Sequence, residues 1–557
     1  MFLEFFGGIF AVLFVIVYGY FWHRSRFFTR RGIPGPKPTS VFNGNLRELQ
    51  VNRTPFNSAM LKWEKQYGKT FGYLEGGQKV VCTSDLGILH DVFGRKFENF
   101  HSRKPIHVFP FDPDTDERVN VFTSRGLRWK RLRALTSPSF GIPKLRNMQW
   151  TMLDTTKKVV ELLEDLEGQE INMAKWLLES STDVIDRIAF GKPECGVGKE
   201  QNPVTKIIRA FFDPAPFYEN PIINFYSSTF EFQHWTIYFH KILLKFKGSP
   251  LTQLAAQLIQ TIEEKREKQV KKQEKKKLAE KQFEEGETSA LLKKDDEYED
   301  FVDLFLNCEA SEEDLKSIEK TQERYGLAKA KIEKRLSDQE IISMCSVLML
   351  AGVDTTATAM SCLCYNLAAH PDAQRTLHAE IDDFIHSEAD IHMDNVNNMK
   401  YLDWCIKESM RVLPFAAGAN SRICMKTCEV GEQKLKMEAG MTIVANVWSI
   451  HLDKKLWGED AEQFIPERWD PDADRLPKDP YAYQPFGLGP RQCMGMKFGL
   501  LEIKLMYCHL LKRFEICRNE KTKCDMAGII VCGPHDVYVT LKRRTPMTYT
   551  DKNKLLL

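Results

Sequence analysis

The sequence lacks a strong excess of charge of either sign. It carries 78 Lys and Arg residues against 76 Asp and Glu residues in a chain of 557. No global field of one sign draws it toward a polyanion, so nucleic acid has little support as a partner. With 43% hydrophobic residues, the chain can instead bury a large core. Its length favours two to four domains and still permits one large domain.

Paired cysteines are also missing. The fourteen cysteines form no C-x-x-C pair and no alternation with histidine at zinc-binding spacing. A disulfide framework is disfavoured, because so long a chain has ample core without cross-links. We therefore predict ordinary buried thiols, on the reducing side of a membrane, for thirteen of them. Cys493 differs, because glycines and a proline surround it.

The first apolar stretch runs from Phe2 to Trp22 and contains one charged residue, Glu4. About 20 apolar residues cross a bilayer as a helix, so residues 1–23 are predicted to form a membrane anchor. A cleaved signal peptide is the alternative, but it has a shorter apolar run after a basic start. Here the arginines follow the run, which predicts that the C-terminal side is cytosolic.

The rest of the chain divides by composition. Residues 24–40 hold those arginines and three closely spaced prolines, which predicts a stiff elbow. One globular domain is expected over 41–545, with a tail at 546–557. Residues 263–335 are highly charged with interleaved signs, which is typical of a solvated surface insertion. The aromatic-rich stretch 211–246 either joins the core or meets a bilayer interface, and both interpretations stay open.

A long helix is predicted in the middle of the domain. Ser337 and Glu340 have the spacing of a capping box, and apolar residues then recur at helical spacing to about Ala369. Asp354 lies near its centre beside Thr355. A carboxylate at the middle of a bilayer costs at least about 2.5 kcal/mol, so a core helix fits better than a second membrane span.

The centre of this helix reads Ala351-Gly352-Val353-Asp354-Thr355-Thr356. Small residues predict a place where a ligand approaches the backbone closely. The adjacent acid and hydroxyl could order a proton-bearing water. A threonine hydroxyl bonded back to a carbonyl, with a local bend, is equally compatible with the pattern.

Cys493 lies in the stretch Phe486-Gly487-Leu488-Gly489-Pro490-Arg491-Gln492-Cys493-Met494-Gly495. The glycines and the proline predict a tight turn, and a helix with an apolar stripe follows it. Free amide groups and the helix dipole at a helix N-terminus stabilise a thiolate, the form of cysteine that ligates metals. Arg491, two residues earlier, could meet a carboxylate.

Together these segments resemble the cytochrome P-450 superfamily, most closely its microsomal group of drug- and steroid-oxidising members. The cysteine stretch resembles the haem-binding motif, and the centre of the long helix resembles the oxygen-activation motif. Three further matches are Glu408-Ser409-Met410-Arg411 for the E-x-x-R helix, Phe464-Ile465-Pro466-Glu467-Arg468-Trp469 for the P-E-R-F segment with Trp469 where Phe is usual, and Trp129-Lys130-Arg131-Leu132-Arg133 for W-x-x-x-R. Their order and spacing cover roughly residues 30 to 545.

The resemblance implies a mainly α fold with a smaller β region (α+β), in which haem lies between the long helix and the cysteine loop. A b-type haem would be ligated by Cys493, and Phe486 would shield the sulfur from water. The haem propionates would be held by Trp129, Arg133, Arg422 and Arg491.

Two other groups take roles by resemblance. Asp354 and Thr355 would deliver protons during oxygen activation. Glu408, Arg411 and Arg468 would form a buried ion network that serves folding and haem retention.

No G-x-G-x-x-G follows a predicted strand, so the two electrons must come from outside the chain. The resemblance implies a membrane-bound NADPH-dependent flavoprotein reductase as donor, with cytochrome b5 as a second candidate partner. Arg128, Lys130, Arg131 and Lys497 are the predicted docking positions for its acidic face. The implied location is the endoplasmic reticulum membrane, with one span and a cytosolic catalytic domain.

The co-substrates would be O2 and a lipophilic molecule such as a steroid, a fatty acid or a foreign compound. The pocket walls would come from 101–125, 209–240, the long helix and the segment from Phe415 to Asn420. Two alternatives stay open: a haem-thiolate isomerase or dehydratase that needs no external electrons, and a haem-binding protein without catalysis. The acid–threonine pair favours the oxygenase over the first alternative.

Overall fold

The computed structural model describes residues 2–49, 56–104, 112–114, 116–192, 194–199, 205, 227–229, 250–284, 299–324, 332–528 and 531–546. Within these ranges helices dominate, and the strands form small sheets. The predicted α+β class, mainly α with a smaller β part, is confirmed. Most of the aromatic stretch 211–246 and of the predicted pocket wall 209–240 lies outside the described residues, as does part of 101–125.

The helices are numbered in chain order over the described residues. Their bounds are α1 Phe2–Ser25, α2 Leu46–Leu49, α3 Phe56–Tyr67, α4 Leu86–His90, α5 Gly126–Thr136, α6 Ile142–Glu164, α7 Met173–Phe190, α8 Pro250–Glu284, α9 Phe301–Asn307, α10 Glu312–Arg324, α11 Asp338–Ala369, α12 Pro371–Phe384, α13 Met393–Asn398, α14 Lys400–Val412, α15 Val447–His451, α16 Lys454–Trp457 and α17 Met496–Arg513.

The strands are numbered in the same way. Their bounds are β1 Thr70–Glu75, β2 Gln78–Thr83, β3 Glu170–Asn172, β4 Ser421–Ile423, β5 Cys428–Val430, β6 Leu435–Met437, β7 Thr442–Ala445, β8 Phe514–Cys517, β9 Met526–Ala527, β10 Gly533–Pro534 and β11 Tyr538–Arg543. The largest sheet has the order β1-β2-β7-β4, in which β2 and β7 are parallel and the other neighbours antiparallel. β3, β11 and β8 form a second, antiparallel sheet.

The proline-rich elbow packs directly on the largest sheet. The backbone N–H of Gly72 in β1 donates to the carbonyl of Pro34 at 2.8 Å. A Cβ on Gly35 would lie 1.9 Å from the Gly72 carbonyl oxygen, and a Cβ on Gly72 would overlap the ring of Phe28. Only glycine permits this approach, so the elbow is fixed against the sheet.

The predicted long helix is present as α11 and runs through the largest hydrophobic cluster. Ser337 Oγ accepts from the Glu340 N–H, and a Glu340 carboxylate oxygen accepts from the Ser337 N–H, which completes the capping box. Among the described residues α11 is the one helix long and apolar enough to cross a membrane. More than half of its most apolar stretch is buried within the protein, as the core-helix prediction requires.

Gly352 makes a packing contact that the sequence pattern did not reveal. A Cβ at this position would come within 2.8 Å of the Ile185 side chain on α7. The glycine therefore lets α7 approach α11 closely, and the ligand approach at this turn stays a prediction. Close packing of the two helices offsets the roughly 1 kcal/mol that glycine costs inside a helix.

The charged insertion is partly described. An apolar stretch within it forms α9, in which Phe301 and Phe305 are buried in the main core. α10 follows and packs on α5. Ile318 and Gln322 of α10 are buried, whereas Glu312, Lys316 and Glu319 are exposed. One face of α10 thus belongs to the folded domain and the other to solvent.

A buried carboxylate joins α14 to the segment before the cysteine loop. Glu408 accepts two hydrogen bonds from Arg411 at 2.8 Å each and one from Arg468 at 3.2 Å, and none of these three side chains is exposed. The remaining guanidinium N–H groups donate largely to backbone carbonyls. Removing one partner would strand a buried charge, at a cost of about 3–5 kcal/mol.

Trp469 adds a further donor to this network. Its indole N–H donates to Glu408 Oε2 at 3.0 Å, and the Ile465 N–H donates to Oε1 at 3.1 Å. The phenylalanine that the related motif usually carries at this position has no such donor. The departure from the motif therefore strengthens the ion network.

We predict that Trp469→Phe lowers the free energy of unfolding by about 1.5–3 kcal/mol, because the buried carboxylate loses a donor. Urea unfolding followed by circular dichroism measures the change. Trp150→Phe is the matched control, since Trp150 is 65% exposed and should tolerate the change. Equal stability of the two variants would mean that the indole hydrogen bond contributes nothing.

Candidate functional site

The loop that carries Cys493 is closed by a backbone hydrogen bond. The Cys493 N–H donates to the Phe486 carbonyl at 2.9 Å, and the half-buried Phe486 ring packs against the main core. Gly487 and Gly489 have φ of 73° and 67°, values that favour glycine. A Cβ on Gly489 would lie 2.0 Å from the Phe93 carbonyl oxygen. The turn predicted from sequence is therefore present, and α17 begins three residues after the cysteine.

All fourteen cysteines lie in described residues and all are free, so the expectation of no disulfide framework is confirmed. Eight are buried, five are half-buried, and Cys493 alone is exposed. Protein nevertheless surrounds Cys493, since burial is the largest influence on its pKa. Its thiol therefore opens into an interior space rather than onto the outer surface.

Burial raises the pKa of the Cys493 thiol, whereas the Gly495 N–H and the charges of Arg103 and Arg133 lower it. The lowering of the thiol pKa predicted for the start of the helix is thus present, but burial raises that pKa by more. A thiolate here needs a cation at the sulfur to hold it deprotonated.

A stripe of α11 also opens into interior space. Val347 and Leu348 are half-buried, Ala351 is exposed, and Asp354 and Thr355 are half-buried, while the neighbouring turns are largely buried. These positions recur every three to four residues, so they share one helix face. The helix therefore presents an acid and a hydroxyl to the space that it borders.

The acid and the hydroxyl differ in their partners. Burial raises the pKa of Asp354 to about 7, and no described residue forms a hydrogen bond or ion pair with its carboxyl. Thr355 Oγ1 donates to the Ala351 carbonyl at 2.6 Å, which is the back-bond foreseen as the structural alternative. In that bond the hydroxyl is the donor, and its oxygen can still accept a hydrogen bond from another group.

The cysteine loop and this face of α11 are neighbours. A Cβ on Gly499, six residues after Cys493, would lie 3.5 Å from Thr356 Oγ1. α17 therefore starts against the same turn of α11 that carries Asp354 and Thr355. The structure brings the predicted metal ligand and the predicted proton donors to one region.

A cluster of arginines lies beside the cysteine loop. Arg133 donates to the Gln492 carbonyl at 2.9 Å, and Arg103 donates to the Arg491 carbonyl at 2.7 Å. Arg422 and Arg491 are buried and also donate only to backbone carbonyls. No carboxylate of the described residues forms an ion pair with any of the four.

Burial, and after it mutual repulsion, perturbs the pKa values of the arginines in this cluster. Burial, opposed by Cys493 and reinforced by Arg133, lowers the pKa of Arg103 to about 10. Burial and neighbouring arginines also lower the pKa values of Arg422 and Arg491 well below the usual range. The Nε atoms of Arg103 and Arg422 are buried without a partner. Such a cluster needs an anionic group to compensate its charge.

Trp129 completes this side of the site. It is buried on α5 beneath the Arg491 guanidinium, whose carbon lies 4.3 Å from the ring centroid. No described residue accepts a hydrogen bond from its indole N–H. All four predicted propionate ligands, Trp129, Arg133, Arg422 and Arg491, therefore lie together.

Arg103 belongs to the cluster but was not among the sequence-based candidates. It lies in a predicted pocket segment, 101–125, but no pattern in that segment distinguishes it from Lys104. Its role becomes visible only through its nearness to Arg133 and Cys493. A conserved position in related chains would have been the signal, and a single sequence does not contain it.

The residues present fit a haem group. No cluster of three or more His, Cys, Asp or Glu side chains among the described residues could hold a metal ion. An iron at Cys493 would therefore have to arrive with most of its ligands already supplied by an organic group. Haem does so, and its two propionates provide the negative charge that the arginines lack.

Comparison with known proteins also indicates a haem protein. A family model described as cytochrome P-450 matches residues 34–540. Similar proteins from Caenorhabditis elegans, all named as cytochromes P-450, include CYP13A8, which is 34% identical over 96% of this chain and 99% of that protein. CYP13A2 is 33% identical over 97% of this chain and 99% of its own length. The protein cyp-13B1 is 33% identical over 96% and 99%.

We predict that Arg103→Leu speeds the loss of haem from the protein roughly 10- to 100-fold, because a hydrogen bond to a charged group contributes about 1.5–3 kcal/mol. Transfer of haem to apomyoglobin measures the rate. Arg103→Lys should lose less, and Arg375→Leu is the control at an exposed arginine. An unchanged rate in Arg103→Leu would exclude this side chain as a propionate partner.

Proposed function

The chain belongs to the cytochrome P-450 family, and we propose that it inserts one oxygen atom of O2 into a lipophilic organic substrate. Family membership implies an oxidoreductase of the haem-thiolate monooxygenase type that uses haem iron and dioxygen. The observation that carries the proposal is the pairing of one accessible thiol, Cys493, with a cluster of uncompensated arginines. A steroid, a fatty acid or a foreign compound is the proposed substrate class, in keeping with the 36 phenylalanines of the chain.

Cys493 is the residue proposed to ligate haem, and haem held there would supply the iron at which dioxygen is reduced. The protein's own contribution on this side is to hold the sulfur. The Phe486 carbonyl fixes the Cys493 backbone, and the Gly495 N–H bonds to the sulfur. Hydrogen bonding and the exclusion of water around a thiolate tune its electron donation.

Asp354 and Thr355 are the proposed proton-handling residues. A carboxyl whose pKa lies at about 7 exchanges its proton readily at neutral pH, which suits a general acid. The Thr355 hydroxyl donates a hydrogen bond to the Ala351 carbonyl, so its oxygen can accept a hydrogen bond from a water that carries the proton. Asp354 would hold the proton and Thr355 would orient the water that carries it.

A membrane-bound NADPH-dependent flavoprotein reductase is the proposed electron donor, with cytochrome b5 as a second partner. The proposed anchor is α1, on which residues 11–20 are all exposed. Its C-terminal end is tied to the globular part, since Arg24 donates to the carbonyls of Phe42 at 2.6 Å and Ser228 at 2.8 Å. The proposed location is the endoplasmic reticulum membrane, with the domain on the cytosolic side.

The isomerase or dehydratase alternative has less support. By the family resemblance, members that act without external electrons commonly lack the acid–threonine pair, which this chain has at Asp354 and Thr355. Here the start of α17, which follows the Cys493 loop, lies against the turn of α11 that carries the acid and the hydroxyl. A haem carrier without catalysis gains no specific support from any described feature.

We predict that Cys493→Ser abolishes the thiolate-type spectrum of the reduced, carbon monoxide-bound protein, because serine does not supply a thiolate. Cys517→Ser is the matched control, since that thiol is half-buried and lies on β8, outside the proposed ligand loop. A thiolate spectrum that survives in Cys493→Ser would refute the assignment of the ligand and, with it, the proposed function.

We also predict that Thr355→Val lowers the product formed per NADPH roughly tenfold and raises peroxide release, because positioned proton transfer contributes about 10²–10⁴-fold. NADPH oxidation and peroxide are measured together with a reductase and a substrate that perturbs the haem spectrum. Thr355→Ser keeps the hydroxyl and should remain coupled. If valine and serine variants couple equally well, Thr355 has no part in proton delivery.

A further inference from the structure

Two of the basic residues predicted to dock an electron donor are engaged inside the protein. Lys130 Nζ donates to the Ser317 carbonyl at 2.7 Å and to Thr321 Oγ1 at 2.5 Å, both on α10. The Arg131 side chain is 12% exposed and points toward the start of α11. Arg131, whose charge is paired with Glu340, therefore offers no free surface charge to a partner. Lys130 donates to a carbonyl and a hydroxyl, which do not neutralise its charge, and its docking role stays a prediction.

Arg131 is bound by two consecutive segments at once. Its two terminal nitrogens donate to the two carboxylate oxygens of Glu340, at 2.8 and 3.2 Å. Its Nε donates to the Glu333 carbonyl at 2.7 Å, and a terminal nitrogen also donates to the Arg335 carbonyl. The planar guanidinium thus joins α5 to the segment entering α11 and to α11 itself. A lysine could not make this set of bonds.

Glu340 is equally committed. It is the third residue of α11, its side chain is 10% exposed, and it accepts the Ser337 N–H of the capping box at 3.1 Å. The Arg128 guanidinium lies 4.0 Å from the same carboxylate. One nearly buried carboxylate therefore both starts the long helix and receives the cation from α5.

The position of Arg131 on α5 makes this contact consequential. It is two residues from Trp129 and two from Arg133, so it points about 160° away from both around the helix. Arg133 holds the cysteine loop through the Gln492 carbonyl, while Arg131 holds α11. α5 is thereby fastened on opposite faces, between the element that carries Cys493 and the helix that carries Thr355.

We propose that the pair Arg131–Glu340 is a positioning clasp, which sets α5 and the cysteine loop at a fixed distance from the proton-handling turn of α11. Arg131 is accordingly a positioning residue and not a docking residue. The consequence for oxygen chemistry rests on the proposed function, whereas the clasp itself does not.

A thermal double-mutant cycle on the haem-loaded protein, without reductase, tests the clasp. Arg131→Met leaves Glu340 without its main cation and should lower the unfolding midpoint by about 3–4 °C. Glu340→Gln should cost less, because glutamine keeps the capping box. The double variant should unfold no earlier than Arg131→Met alone. Arg146→Met, at an exposed arginine, is the matched control.

Additive effects, or wild-type midpoints in all the variants, would overturn the clasp. Either result would leave the proposed function standing, because the thiolate spectrum of the wild-type protein reports on that function separately.

Coupling separates a positioning role from simple stabilisation. Well below the lowest midpoint, Arg131→Met should release at least about threefold more peroxide per NADPH, since small displacements in an active site have large kinetic effects. Arg131→Lys should restore part of the coupling. The reductase concentration that gives half-maximal rate should stay unchanged.

Unchanged peroxide release with a lowered midpoint would reduce the pair to a structural contact. A raised half-maximal reductase concentration with normal coupling would return Arg131 to the docking surface. Both results would overturn the positioning proposal.

Discussion

Buried positive charge without a protein counter-charge is the constraint on which the rest of the site depends. Arg422 and Arg491 are buried, and they, Arg103 and Arg133 bond to carbonyls alone. Carbonyl oxygens orient a guanidinium but do not neutralise it, so the folded chain is under electrostatic strain until an anion arrives. A dianionic cofactor that binds only the folded chain then stabilises it by mass action. Cofactor binding and folding are therefore expected to be linked in this protein.

The opposite solution operates at Glu408 on α14. Glu408 is buried with two arginines, an indole and an amide directed at it, so every charge there is answered from within the protein. The charges of the Glu408 cluster are balanced within the protein, whereas the arginine cluster beside Cys493 needs a bound anion to balance its charge. Satisfied buried networks specify a unique arrangement, and unsatisfied ones are found at binding sites.

Sequence reasoning worked where short-range rules decide the outcome. The start of α11 follows from Ser337 and Glu340, and its end from the proline at position 371. The turn at Cys493 follows from its glycines. It failed where partners come from distant segments: Gly352 serves packing against Ile185, Arg131 binds Glu340 about two hundred residues away, and Arg103 joins a cluster that no local pattern reveals. The spacing of apolar residues predicts which face of a helix a residue occupies, but it does not predict which distant segment packs on that face.

The elbow has a mechanical consequence. Gly35 and Gly72 touch backbone to backbone, and the Phe28 ring fills the remaining space beside them. This contact between two glycine backbones contains no side chain that could change its rotamer, so it holds the elbow rigidly against the sheet. A chain tethered to a lipid surface through α1 would then hold its globular part at one tilt. The entrance of any channel leading to the interior would keep a constant height above that surface. A lipophilic molecule leaving the lipid would therefore always enter the protein at the same point.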